Sequence, residues 1–328
     1  MRRNGKKTIL ILLLAAVWLL GGFAAAEETA EIAHETVPPD IPRVIDRVTD
    51  PEAEGLFQFP ADARLLHIWF PNIMNADEAI LIYGGDAWLI DCGDERMGTR
   101  GAELISRLGI ERIGKLFNSH PHHDHLNGLK VTNRTAKVEE LLICYPENAT
   151  RHMKAAMKYA KANGIPVTTF TDGSEFRMGD GAVTLTFRLP VDPEVKLDVN
   201  NRSALTMIRY GERTILFTAD MEQPGQKEML KRVPPEEFRA DLLKYPHHGK
   251  SAMDADFFEA VSPVAAIVTN KAVPSWRGVK FLKKNKVPVI YTNQSGVYIH
   301  LVTDGQTWIA EKVPRDRPES ATGFSAVP

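Results

Sequence analysis

The chain has 328 residues, 44% of them hydrophobic and 25% charged, and carries a formal net charge of −2. That balance excludes a disordered or fibrous polymer and fits one large globular domain or two small ones. No low-complexity run and no internal repeat occurs, which excludes solenoid architectures.

At the N-terminus Arg2, Arg3, Lys6 and Lys7 precede an apolar run from Thr8 to Phe23, and Ala24-Ala25-Ala26 stands before Glu27. This is the layout of a secretory signal peptide over residues 1–26, with cleavage after Ala26. The alternative is an uncleaved N-terminal membrane anchor, for which about 16 apolar residues is slightly short. Either way the folded part is expected outside the cytoplasm, secreted or extracytoplasmic. No later segment is apolar enough to span a bilayer. Removing residues 1–26 takes four basic and no acidic residues, so 36 Lys and Arg then face 42 Asp and Glu, a charge of −6. A nucleic-acid partner is permitted but not indicated by that charge, because counterion release needs clustered Lys and Arg. The two basic stretches, Arg151 to Lys161 and Lys280 to Lys286, read as solvated helix faces.

Residues 27–61 hold five prolines and many acids with little periodicity, and are expected to be an extended N-terminal segment. The compact domain is placed at residues 62–313, followed by a tail over 314–328. Short β-branched runs predict strands at 65–70, 78–83, 87–92, 115–119, 138–145 and 182–187. Further strands are predicted at 204–210, 213–218, 241–245, 265–269, 288–291, 297–302 and 307–311. Helical periodicity predicts helices at 99–108, 149–163, 222–232, 253–260 and 278–284. Hairpins early and late with strand–helix–strand units between them predict an α/β fold, a two-sheet sandwich with helices on both outer faces. Cys92 and Cys144 end different strands with a third strand expected between them, which places them beyond disulfide range.

The densest chemistry is Ser119-His120-Pro121-His122-His123-Asp124-His125, five possible metal ligands in six residues. Six of the ten histidines fall there or at His247-His248. Crowded imidazoles repel once protonated, whereas a divalent cation uses their lone pairs. A strand-end loop running into a helix lets alternate side chains aim at two cations. The scattered His34, His67, His152 and His300 are given no role. Gly-x-Ser-x-Gly, His-Glu-x-x-His and Gly-x-x-x-x-Gly-Lys motifs are all absent.

Five motifs now occur in one order: Leu89-Ile90-Asp91-Cys92-Gly93, the His120-x-His122-x-Asp124-His125 signature, Gly128, Thr218-Ala219-Asp220, and Lys244-Tyr245-Pro246-His247-His248-Gly249. The chain resembles the metallo-β-lactamase superfamily from about residue 64 to 312. Three details resemble the branch containing the hydrolase domain of ComEC-type DNA-uptake proteins: the His-His-Gly motif, Asn200-Asn201-Arg202-Ser203, and the hairpin from Thr292 to Gly305. Asn75-Ala76-Asp77 also stands where many relatives carry Gly-x-Gly-Asp.

The resemblance implies an αββα four-layer sandwich and two divalent metal ions, zinc first and manganese as the other option. It implies His120 and His122 on the first metal, Asp124 and His125 on the second, and Asp220 bridging. A histidine of the 247–248 pair completes the second site; His248 fits the family frame better, leaving His247 beside the site or on substrate. His123 is expected to point away. Asp91 and Asn201 are supporting residues, although Asp91 reads equally as a strand-end turn former. One departure stands out. Related two-zinc hydrolases carry a further histidine about 20 residues before the bridging Asp, where this chain has Val199-Asn200-Asn201. The first site is therefore expected to be weak, with an Asn carbonyl or water left to complete it. The implied function is a metal-dependent hydrolase, with Asp124 and Asp220 as catalytic residues, acting on small or polymeric phosphodiesters or phosphate esters. Alternatives are lactone, thioester or β-lactam hydrolysis, or a non-catalytic metal-binding module.

Overall fold

The computed structural model describes residues 43–55, 57–96, 98–190 and 195–325. The signal-peptide expectation for residues 1–26 and His34 fall outside the described residues.

One nine-stranded sheet runs in the order β1 (Val44–Asp46), β18 (Trp308–Pro314), β17 (Val297–Thr303), β2 (Leu66–Phe70), β3 (Glu78–Tyr83), β4 (Asp86–Cys92), β6 (Lys115–Asn118), β8 (Leu141–Ile143), β9 (Val167–Thr169). A seven-stranded sheet follows the order β10 (Glu175–Met178), β11 (Val183–Arg188), β12 (Leu205–Tyr210), β13 (Arg213–Phe217), β14 (Leu242–Lys244), β15 (Ala265–Val268), β16 (Val289–Tyr291). A small ribbon pairs β5 (Arg112–Ile113) with β7 (Lys137–Val138). The helices are α1 (Gly98–Arg107), α2 (His123–Leu126), α3 (Leu129–Thr135), α4 (Arg151–Ala162), α5 (Gln223–Arg232), α6 (Ala255–Val261) and α7 (Arg277–Lys284).

Alternation along the strands assigns the layers, because successive side chains leave opposite faces. In β4, Trp88 and Ile90 enter the space between the sheets while Leu89 packs outward. In β13, Ile215 and Phe217 enter that space and Leu216 packs outward. Outside the first sheet lie Leu104 and Ile105 of α1, Leu129 of α3, and Met153 and Ala160 of α4. Outside the second lie Met229 of α5, Phe257 of α6 and Leu282 of α7. Three apolar layers between four layers of secondary structure make an αββα sandwich. Each fully buried Leu, Ile or Phe contributes about 1.5–3 kcal/mol. The helices are locally specified too: Thr150 caps α4 by accepting the Met153 N–H, and Met153, Ala156 and Ala160 form its buried stripe. The basic residues of the same helix, Arg151, Lys154, Lys158 and Lys161, are exposed.

Two expectations are corrected. The extended segment over 27–61 contains β1, which pairs in parallel with β18 from Val44 opposite Trp308 to Asp46 opposite Ala310. Three residues carry no readable period; the pairing exists because β18 presents an open edge. The tail is tied down as well, over its described residues up to 325. Phe324 packs edge-on against His67 and Trp69, and the Thr322 N–H donates to Glu311 at 2.7 Å. Behind it His67, His300 and Glu311 form a buried chain, with 3.0 Å between the two imidazoles and 2.9 Å from His300 to Glu311. The strand β9 escapes sequence reading because two of its three residues are exposed, and β10 because its alternation of Phe176 and Met178 with charged residues runs for only four residues. Both cysteines are free thiols, and β6 does lie between β4, which ends in Cys92, and β8, which Cys144 follows.

Two positions fix the packing beside the first sheet. A Cβ at Gly128 would overlap the Cys92 carbonyl oxygen, so α2 and α3 approach the end of β4 only because residue 128 has no side chain. Gly128→Ala should therefore lower stability by about 1–3 kcal/mol, read as a shift in denaturant midpoint. Glu78 is fully buried, neither carboxylate oxygen has a partner among the described residues, and burial pushes its carboxyl up to about 8. Between its ordinary 4.5 and about 8 the folded chain holds a proton that the unfolded chain has lost, so stability falls as pH rises through that window. Glu78→Gln should flatten this fall in a series of thermal melts from pH 5 to about 8.

Candidate metal centre

The strands β4, β6 and β8 are mutually parallel, as are β13, β14, β15 and β16. Their carboxyl ends open at one edge of the sandwich, where ligand sites form in parallel sheets. Asp91 is the penultimate residue of β4, and Ser119 and His120 follow β6. Asp220 follows β13, His247 and His248 follow β14, and Thr269 follows β15. Three of these residues, and Ala219 just before Asp220, adopt the left-handed conformation that L-residues rarely take. Asp91, Ala219, His247 and His248 have φ of 56°, 45°, 49° and 52°. Each left-handed residue costs about 1–2 kcal/mol, and such strain concentrates at functional sites.

Asp220 divides the ligands into two sets. Its Oδ1 faces His125 Nε2 at 3.3 Å and His248 Nε2 at 3.6 Å, and Asp124 Oδ2 stands 3.4 Å from the same His248 nitrogen. These four residues are all buried and their ligand atoms lie within 4.8 Å of one another. Asp220 Oδ1, His125 Nε2 and His248 Nε2 have no hydrogen-bond partner among the described residues. Three orphaned lone-pair atoms aimed at one point fit a divalent cation. Asp220 Oδ2 faces a different set: His120 Nε2 at 4.0 Å and His247 Nε2 at 3.7 Å. His122 Nδ1 sits 3.0 Å from His120 Nε2.

The ring nitrogens turned away from these points are fixed. Asp91 Oδ2 accepts the His125 Nδ1–H at 2.7 Å, and its carboxylate also accepts Ser119 N–H, Ser119 Oγ–H and Asn118 Nδ2–H. Asp77 Oδ1 lies 3.1 Å from His248 Nδ1 and accepts the Thr269 hydroxyl at 2.6 Å, while Lys244 pairs with its other oxygen. Ser119 Oγ lies 3.2 Å from His120 Nδ1. Carboxylates behind imidazoles fix the tautomer and leave Nε2 bare for a metal.

Electrostatics agree with a cation. Burial alone would raise Asp220, but His248 and His125 hold its carboxyl well below the ordinary range. Burial would lower His125, yet Asp220 and Asp91 push it well above its usual value, and Asp220 and Asp77 raise His248 in the same way. Burial likewise opposes the shift of Asp124, whose carboxyl the adjoining His248 and His125 imidazoles hold low. Carboxylates this anionic draw positive charge, which protons on imidazole or metal ions can supply.

The structure thus brings together His120, His122, Asp124, His125, Asp220, His247 and His248, with Asp91 directly behind. His123 points outward with a side chain 56% exposed. Asn201, expected as a supporting residue, makes its side-chain contacts away from the ligand atoms. Its amide accepts the Gly225 N–H at 3.0 Å and donates to Asp198 at 2.9 Å, so it ties the loop before β12 to α5. Sequence reasoning gave no role to Lys244 or Glu222. Glu222 accepts the His247 Nδ1–H at 2.7 Å, and its two-residue distance from Asp220 was the available signal. Lys244 lies in an otherwise apolar strand, and a lysine there is itself a sign of a buried counter-charge.

A family model described as the metallo-beta-lactamase superfamily matches residues 78–268. ComE operon protein 3 of Bacillus subtilis (strain 168) is 24% identical over 201 residues, covering 59% of this chain and 25% of that protein. The uncharacterized protein YcaI of Escherichia coli (strain K12) is 31% identical over 111 residues, 34% of this chain and 14% of its own length. The match thus spans a quarter or less of either relative. Among solved structures, the metallo-beta-lactamase fold protein YhfI from Bacillus subtilis is 16% identical, covering 72% of this chain and 99% of that one at a TM-score of 0.45. With the family model running from the first residue of β3 to the last of β15, the chain belongs to the metallo-beta-lactamase superfamily.

Proposed function

We propose that the protein is an exported hydrolase that activates water with two divalent metal ions and acts on phosphodiesters or phosphate esters. The observation that carries it is the division of ligands between the two oxygens of Asp220, with two orphaned imidazole nitrogens facing the orphaned Oδ1 and two further imidazoles facing Oδ2. Zinc suits the imidazole-rich sets, and manganese is the alternative where oxygen ligands and phosphate dominate. Export is supported by the Arg2-Arg3 to Ala26 layout. No helix among the described residues is long and apolar enough to cross a membrane.

Two such cations, when bound, supply Lewis acidity that activates water and neutralises charge developing on the attacked group. The chain's own residues do the rest. Asp220 holds both ligand sets in register through its two oxygens. Asp91 and Asp77 keep His125 and His248 in the tautomer with a bare Nε2, and Lys244 offsets the charge of Asp77. Asp124, held low in pKa, stays anionic at neutral pH and serves as a ligand rather than a proton store.

The choice of phosphate rests on two surface clefts flanking the site. One is lined by Asn127, Lys130, Arg151 and His152 and begins at Leu126, next to His125. The other is lined by Gln223, Ser251 and Arg277 and includes Glu222, the partner of His247. These clefts carry Lys130, Arg151 and Arg277 against the carboxylates Glu95 and Glu222, and on a chain of net negative charge that excess of cations favours an anionic substrate.

Elemental analysis of the purified protein should find close to two metal ions per chain, with turnover of bis-(p-nitrophenyl) phosphate. Asp220→Ala should lose metal and lower kcat/KM by more than the ~10–100-fold typical of losing an outer partner. Unchanged turnover in that variant would sink the proposal. Turnover of a lactone or β-lactam without any diesterase activity would overturn the phosphate assignment alone. Arg151→Ala should raise KM for the diester several-fold with kcat little changed, since a cleft cation binds ground and transition states alike.

A further inference from the structure

We propose that His247 is a ligand of the first metal ion and takes the place of the histidine missing from Val199-Asn200-Asn201. The inference rests on the two-metal reading above and specifies how its incomplete half is completed. On that reading the first set has His120, His122 and Asp220, one short of the four ligands that a zinc ion gathers.

Three observations carry it. The first is direction. His247 Nε2 lies 3.7 Å from Asp220 Oδ2, the same oxygen that His120 Nε2 faces at 4.0 Å, whereas His248 Nε2 faces Asp220 Oδ1 at 3.6 Å. Adjacent histidines thus serve opposite oxygens of one bridging carboxylate. The second is the partner behind the ring. Glu222 accepts from His247 Nδ1 at 2.7 Å, and Ser251 Oγ–H donates to the same Glu222 oxygen. This repeats the arrangement of Asp91 behind His125 and of Asp77 behind His248, a carboxylate that leaves Nε2 bare. A histidine that only touched substrate would need no such copy.

The third is the backbone. His247 and His248 are consecutive left-handed residues, at φ 49° and 52°, inside the short turn Pro246–Gly249. The His247 N–H donates to the carbonyl of Ala219 at 3.0 Å, so the turn is clamped to the residue before Asp220. One left-handed histidine would suffice to deliver one ligand. Two in succession separate neighbouring side chains to the two halves of the site. Of the two asparagines at the missing position, Asn201 is occupied by Asp198 and the Gly225 N–H, while Asn200 Oδ1 is buried without a partner among the described residues and is the other candidate for that place.

The test uses the full chain, stripped of metal with a chelator and titrated with Co²⁺ while visible absorption and bound metal are measured. Wild type should take two equivalents, the second weaker. His247→Ala should lose the weaker equivalent or raise its Kd at least tenfold, and keep the tight one. His122→Ala should lose the same equivalent, and Asp124→Ala the tight one. Glu222→Gln should weaken the same equivalent by about 10-fold through the loss of the charged partner, which also covers the case in which His247→Ala fails to fold. Two equivalents of unchanged Kd in His247→Ala, or in Glu222→Gln when the alanine variant is unfolded, overturn the inference and leave the hydrolase reading standing. A wild-type protein that takes one equivalent also overturns it. A wild type that takes none, with no turnover under any cation, overturns both.

Discussion

Four carboxylates, those of Asp77, Asp91, Asp124 and Asp220, are buried at one edge of the sandwich, and the arrangement around them follows from that charge. Burying an ion costs several kcal/mol after relaxation, and four of one sign in one place are tolerable only if each is answered. Asp91 is answered by donors from Asn118, Ser119 and His125. Asp77 is answered by Lys244, Thr269 and His248. Those two therefore act as fixed supports. Asp124 and Asp220 are answered only by imidazoles, which are neutral unless protonated, so they are left to attract cations. The division into supports and ligands is a consequence of where the donors are, and it assigns the ligand role without appeal to any relative.

The same constraint explains where strain is tolerated. A strand end that continues straight carries its next side chain away from the edge. The left-handed residues Asp91, Ala219, His247 and His248 turn the chain sharply at that edge. Each is locked by contacts that a relaxed turn would lose: Asp91 by its four donors, and His247 by the Ala219 carbonyl. Gly128 plays the complementary part, since the absence of a side chain lets the helix bearing Asp124 and His125 press onto the end of β4. Stability spent on strained turns is recovered from the three apolar layers, which also make the strand ends rigid enough to hold the ligand sets in register.

The sequence made the layers legible because their signals are local. Alternation in β4 and β13, the stripe of Met153, Ala156 and Ala160, and the density of histidine at 120–125 can each be read from neighbouring residues. The failures share a cause as well. The strand β1 and the tail near Phe324 are ordered by β18 and by Trp69, partners hundreds of residues away. Asn201 looked like a site residue because it lies where a ligand would lie in relatives, yet its amide is consumed by a helix terminus. The position of Glu222 could have been noted beside Asp220, but its role depends on the fold of Pro246–Gly249, a strained turn that no propensity forecasts. Lys244 is the reverse case: a charged residue in a three-residue buried strand is a local anomaly that points to a buried partner.

The two ligand sets differ in enclosure, and that difference has a functional sense. The set at Asp220 Oδ1 consists of buried residues. At Asp220 Oδ2 the distances are longer and the His247 side chain is 21% exposed, with His122 also part-exposed. A cation in the enclosed set is shielded from water and held by two anionic carboxylates, Asp124 and Asp220, so its attraction is strong in the low local dielectric. A cation in the open set shares one carboxylate, meets solvent and exchanges more readily. The clefts that carry Lys130, Arg151 and Arg277 begin at residues adjoining these sets. An anion entering there would meet the open set from its solvent side. Accessibility on the open side and rigidity on the enclosed side are then complementary: the enclosed set would hold a cation firmly, and the open set would leave one within reach of what the protein binds.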